Sequence, residues 1–170
     1  MTFGQDLPAL SIPGISLRPI VEGDYTFLRA LYRSVRDAEL AVTGWPEEAK
    51  QAFCDSQFHL QDTWYRGQYD GAHFLLIERA TTPIGRIYVH AAENELRLMD
   101  IALVPEERGA GLGTRLVEWL LTWGRESGRD ATLYVEAHNP ARRLYARHGF
   151  ADESVEGVYL KMRCKPPRRG

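Results

Sequence analysis

The chain lacks the marks of several common protein classes. Its only cysteines, Cys54 and Cys164, are far apart and have no cysteine or histidine at metal-ligand spacing. Reduced thiols are expected, rather than a disulfide framework or a zinc site. No apolar run reaches about 18 residues, so no membrane span is expected. The first 13 residues combine neither a positive start nor a long apolar core. No signal peptide is expected there, and the cytoplasm is the expected location. The net charge of −2 creates no strong field for nucleic acid or an anionic membrane. The basic tail Lys165-Pro166-Pro167-Arg168-Arg169 is short and reads as solvated. Repeats, linkers and low-complexity segments are absent. What remains is an ordinary globular balance, 44% hydrophobic and 26% charged in 170 residues. This suits one domain over 1–170, with a core at about 15–162.

The hydropathy pattern predicts the order β-α-α-β-β-β-α-β-α-β, an α/β mixed sheet with helices on its faces. Ile15–Ile20 alternates as a first strand. Asp24 is a candidate N-cap for a helix through Phe27, Leu28, Leu31, Tyr32 and Val35. A second helix runs from Glu47 to Tyr65, with Ala49, Phe53, Gln57, Leu60 and Trp64 along one side. Strands follow at His73–Glu78, Ile84–His90 and Glu95–Val104. Gly85 marks a bulge or a close approach. Then come a helix from Gly111 to Ser127, a strand from Ala131 to Ala137 and a short helix from Pro140 to His148. One last strand is expected at Val155–Arg163.

The glycine-rich stretch Arg108-Gly109-Ala110-Gly111-Leu112-Gly113-Thr114 stands where a strand gives way to a helix. Such a turn presents backbone N–H groups at the positive end of a helix dipole, which suits phosphate. A turn that merely caps the helix would read the same locally. The loop lacks the lysine of an NTPase phosphate loop, and its glycines are spaced too tightly for the dinucleotide fingerprint. The Arg-x-x-Gly-x-Gly pattern of Arg108–Gly113 instead resembles the pyrophosphate loop of the GCN5-related N-acetyltransferases, the GNAT family. A second stretch, Leu133-Tyr134-Val135-Glu136-Ala137-His138-Asn139 through Tyr145 to Gly149-Phe150, also resembles that family. The resemblance covers about residues 15–162.

It implies the GNAT fold, with the central sheet splayed between its fourth and fifth strands, and acetyl-coenzyme A as the cofactor. Backbone groups of Ile101, Ala102, Leu103 and Val104 would pair with pantetheine. Arg108, Gly109, Ala110, Gly111, Leu112, Gly113 and Thr114 would hold the pyrophosphate. Asn139 would bind pantetheine, cap its helix, or both. Arg115 and Arg142 read as either phosphate contacts or surface. Tyr145 matches the position that protonates the leaving thiolate. A carboxylate would take the amine proton, with Glu136 ahead of Asp100. His138 reads as an exposed loop residue, and Cys54 has no paired histidine to activate it. Gln57, Gln61 and Tyr65 line either an acceptor pocket or a solvent-facing stripe. The expected activity is acetyl transfer to a primary amine of a small molecule or protein. A non-catalytic acyl-CoA-binding module with the same fold is the alternative. No metal, nucleic acid or membrane is implied, and monomer and homodimer both remain open.

Overall fold

The computed structural model describes residues 7–167. Seven strands form one sheet in the order β1-β2-β3-β4-β5-β7-β6. These are β1 Ile15–Pro19, β2 His73–Arg79, β3 Thr82–Ala91, β4 Glu95–Leu103, β5 Asp130–Glu136, β6 Ala151–Glu156 and β7 Tyr159–Cys164. Among the described residues only the β4–β5 pair is parallel. The helices are α1 Tyr25–Ala41, α2 Glu47–Gln68, α3 Leu112–Ser127 and α4 Ala141–Arg147.

Each sheet face has its own core. Leu116, Val117, Leu120 and Trp123 of α3 pack on Ile87, Val89, Leu96, Leu98, Leu133 and Val135. On the other face Leu28, Tyr32 and Leu40 of α1 meet Cys54 and Phe58 of α2 and Leu76 of β2. Alternation along the strands turns Arg86, Tyr88 and Tyr134 away from the α3 core, toward α2. No helix among the described residues is long and apolar enough to cross a membrane. Both cysteines are free, and burial pushes the Cys54 thiol up, away from reactivity.

Three sequence expectations need correction. The C-terminal strand is a hairpin, with β6 before β7 and a turn at Gly157, whose φ is +63°. Strand β6 reads Ala-Asp-Glu-Ser-Val-Glu and is exposed throughout, so no alternation announces it. In α2, Phe53, Leu60 and Trp64 face solvent, and Cys54 and Phe58 face the sheet. Helical spacing identifies a real stripe but not which side turns inward. Asp24 stands at the N-cap position of α1, but its side chain makes no cap hydrogen bond to the helix. Its carboxylate takes the Arg18 guanidinium at 2.8 Å on both oxygens, and the Val21 N–H at 2.8 Å.

Two irregularities shape the middle of the sheet. Ile77 pairs with Gly85 but Glu78 pairs with Pro83, so β3 bulges at Ile84. A Cβ on Gly85 would strike the Ala102 carbonyl oxygen and lie 2.8 Å from Leu103 Cδ2, which confirms the close approach expected there. Further along, Tyr88 pairs with Asp100 while Val89 pairs with Leu98, leaving Met99 as an extra residue. This bulge resets the alternation of β4. Arg97 and Asp100 consequently share the α2 face, and Leu98 stays in the α3 core.

Candidate active site

The parallel pairing of β4 with β5 runs from Glu95↔Asp130 to Leu98↔Leu133 and then stops. Beyond it β4 continues against β3 to Leu103, and β5 continues against β7 to Glu136. The two strands therefore open a gap where β4 carries its bulge. The Val104 N–H donates to Ile84 O at 2.9 Å, which commits that position to the β3 side. By ladder alternation Ala102 also faces β3, and the backbone groups of Ile101 and Leu103 face the gap. Of the four backbone positions expected to meet pantetheine, Ile101 keeps both groups free for the gap, and Leu103 keeps its N–H, its carbonyl accepting from Arg108 Nε at 3.0 Å.

The glycine loop sits at the mouth of this gap. The first main-chain bond of α3 runs from the Arg115 N–H to Gly111 O at 3.2 Å. The amides of Gly109 through Thr114 have no acceptor among the described residues. Gly111 has φ +86°, a conformation that side chains disfavour. A Cβ at Gly109, Gly111 or Gly113 would meet nothing within 4 Å, so the space above the amides is open. Leu112, 5% exposed, pins the loop to the core. Arg108 is tied back, with Nε donating to Leu103 O at 3.0 Å and Nη2 to Ser34 Oγ at 3.2 Å. Arg115 is exposed. Arg142 turns to Asp152 at 2.8 Å, which is surface pairing.

From the other side, α4 brings Tyr145 to the gap. Its ring is 7% exposed and meets Phe150 edge-on at 5.8 Å. Its hydroxyl has no hydrogen-bond partner among the described residues. Burial, with a smaller contribution from the Asp100 charge, pushes its pKa up to about 12. At neutral pH it is a protonated phenol, able to donate. Asn139 Oδ1 accepts the Ala141 N–H at 2.9 Å and so orders the start of α4.

The two carboxylates differ sharply. Asp100 is ion-paired with Arg86, whose side chain is only 5% exposed. Arg86 Nη2 also donates to Gln61 Oε1 at 2.8 Å, and its guanidinium lies 4.8 Å from the Tyr88 ring. Tyr65 donates to Met99 O at 3.2 Å, holding the bulge residue. Burial and the Asp100 charge both push the Tyr65 phenol up. Gln61 and Tyr65 thus belong to the inner lining of the cleft, not to a solvent stripe. Gln57 is half-buried on the same edge, with no partner among the described residues. Glu136 is exposed, shares the Tyr134 face, and makes no ion pair among the described residues. His138 is exposed.

No motif points to Arg86, although the strand pattern carries a signal. Arg86 interrupts the apolar strand Ile84–Val89 at a position with no solvent, and such a charge requires a buried partner.

A profile of the Acetyltransferase (GNAT) family matches residues 29–150. A mycothiol acetyltransferase of Thermobispora bispora is 32% identical over 167 residues, covering 91% of this chain and 53% of that protein. The chain therefore spans about half the length of this curated relative. Among solved structures, the PaiA N-acetyltransferase of Thermoplasma acidophilum with coenzyme A superposes with a TM-score of 0.66 at 23% identity, covering 89% of this chain and 98% of that one. The spermidine N-acetyltransferase of Vibrio cholerae, with CoA and spermine, gives 0.58 at 19%, covering 89% and 94%. Loop, gap and profile agree: the chain belongs to the GNAT family of acetyltransferases.

Proposed function

We propose that this protein is an acetyl-CoA-dependent N-acetyltransferase acting on a primary amine by direct attack in a ternary complex. The observation that carries the reading is the run of unpartnered amides from Gly109 to Thr114 beneath open space at the start of α3. A diphosphate fits there because N–H donors and the helix dipole both favour an anion. The free edge of β4 at Ile101 and Leu103 would hold the pantetheine arm as a neighbouring strand would.

Acetyl-CoA supplies an activated thioester. The residues of this chain do the rest. The Leu103 N–H faces the gap and meets the charge that develops on the carbonyl oxygen. Tyr145 holds a proton for the departing sulfur. Glu136 takes the proton from the amine, directly or through water. An alkylamine has a pKa of about 10.4 and must lose its proton before it attacks. Asp100 is less suited to that task because the Arg86 guanidinium already binds it. The named relatives favour a small-molecule amine over a protein amino group.

The test is a thermal-shift titration followed by an amine screen that detects thiol release. Acetyl-CoA should raise the melting temperature and ATP should not. Gly111→Val, which forces a branched residue to positive φ above the amides, should abolish the shift. A shift without thiol release from any amine would support the acyl-CoA-binding module instead. No shift at all would end the assignment.

A further inference from the structure

Helix α2 carries its charges and its exposed apolar side chains on opposite sides. At about 100° per residue, Glu47, Glu48, Asp55, Asp62 and Arg66 fall within a sector of about 100°. That sector turns toward α1, where Glu47 meets Arg33 at 2.6 Å and Asp62 accepts from Tyr25 at 3.0 Å. Phe53, Leu60 and Trp64 fall within about 40° of one another on the far side. They are 38%, 59% and 53% exposed. Trp45, 43% exposed, extends the stripe through its edge-on contact with Phe53 at 5.4 Å. A surface helix normally shows the reverse, with charge outward and apolar side chains inward. Single exposed apolar residues need no explanation, but a continuous row of them marks a contact surface.

Small residues stand between the large ones. Ala49, Ser56 and Gly67 lie on the same stripe and are exposed. A Cβ on Gly67 would meet nothing within 4 Å, so that position is an open seat. Lys50 and Asp70, near the two ends of the helix, make no ion pair among the described residues. The pattern fits itself. When two copies of α2 lie antiparallel about a twofold axis at Leu60, residues equally far before and after Leu60 meet. Trp64 then stands opposite the partner's Ser56, and Phe53 opposite the partner's Gly67. Lys50 faces the partner's Asp70, and Leu60 meets its own copy. A twofold interface requires this match of one patch with itself.

We propose that α2 pairs in this way with α2 of a second copy, making the protein a homodimer. The proposal is independent of the acetyltransferase reading above. With 22 residues, α2 is about 33 Å long. Together with Trp45 the pair would cover on the order of 500 Å² on each copy, which reaches the total of about 1,000 Å² that a specific interface needs. Membranes and nucleic acids suit the stripe less well. Both are recognised through rows of Lys and Arg, and the stripe itself carries none.

The experiment is sedimentation of the protein over about a hundredfold range of concentration, with variants alongside. The unmodified protein should sediment as a dimer at the upper end. Trp64→Glu and Leu60→Glu should each weaken association by about tenfold or more. Ser56→Trp tests the fit itself. It fills the seat of the partner's Trp64 and should weaken association by about tenfold or more, whereas a merely adhesive patch would associate more tightly. Leu60→Cys, on the axis, should link to its own copy by a disulfide under mild oxidation, beyond the background from Cys54 and Cys164. Gln68→Cys, separated from its own copy by about 24 Å along the pair, should not. Melting curves and the acetyl-CoA thermal shift show whether each variant is folded, and the two cysteine variants decide the matter if a glutamate variant is not. A monomer at every concentration up to about 1 mM would overturn the proposal. So would a dimer indifferent to Trp64→Glu and Leu60→Glu, tighter association of Ser56→Trp, or crosslinking of Gln68→Cys in place of Leu60→Cys.

Discussion

Replacing Tyr145 with phenylalanine should separate chemistry from stability and from cofactor binding. The ring is 7% exposed, packed edge-on against Phe150 at 5.8 Å and surrounded by the apolar α3 core. Phenylalanine keeps all of that packing. The hydroxyl it removes makes no hydrogen bond among the described residues, so no intramolecular bond is lost. Stability should change by no more than about 0.5 kcal/mol, or roughly 2 °C in melting temperature. The acetyl-CoA thermal shift should also be preserved, because the diphosphate rests on the α3 loop. Turnover should fall by about 10²–10⁴, the usual contribution of a positioned proton donor, or about 2.7–5.5 kcal/mol of barrier. Since burial raises this phenol to about 12, it stays protonated through the neutral and mildly alkaline range. Tyr145 should therefore impose no alkaline fall in kcat between about pH 6 and 10. The assay is initial-rate thiol release at saturating substrates, with melting curves on the same samples. A variant within threefold of full activity would refute the role of Tyr145. A fall in activity matched by a large fall in melting temperature would show that the hydroxyl is structural.

Gly85→Ala should lower stability by about 1–3 kcal/mol, read as a drop of roughly 3–9 °C, because its Cβ meets the Ala102 carbonyl and Leu103 at the end of β4. Asp24→Asn should cost about 1–2 kcal/mol at neutral pH by breaking the two-pronged contact with Arg18 and weakening the Val21 N–H bond. Arg18 hydrogen bonding lowers the Asp24 pKa in the folded protein. Its contribution is therefore complete above the unfolded value of about 3.9 and is lost as pH falls through the lower folded value. The gap in melting temperature between the two proteins should close below about pH 4.

Local features of the site were readable because local sequence determines them. Gly109, Gly111 and Gly113 announce bare amides, and the stretch from Asn139 to Phe150 contains its own helix start, tyrosine and glycine stop. The gap between the fourth and fifth strands followed from the family resemblance, and the β4–β5 register bears it out. Features that depend on register between distant strands were not readable. The extra Met99 decides that Asp100 faces α2, and only pairing with β3 reveals it. The partner of Asp100 lies 14 residues back, at Arg86, across that same ladder. Helix α2 shows the limit of periodicity. Its most hydrophobic stripe, Phe53, Leu60 and Trp64, is turned to solvent, and the inward side includes Gln61 and Tyr65, which meet the polar floor of the cleft.

Binding of the coenzyme at the α3 loop is tested most directly by following backbone amide resonances of the ¹⁵N-labelled protein while acetyl-CoA is added. The largest shifts should fall at Gly109 through Thr114 and at Ile101 and Leu103, with little change at the same concentration of ATP. Saturable binding that leaves those amides unmoved and perturbs another surface would contradict binding at the loop.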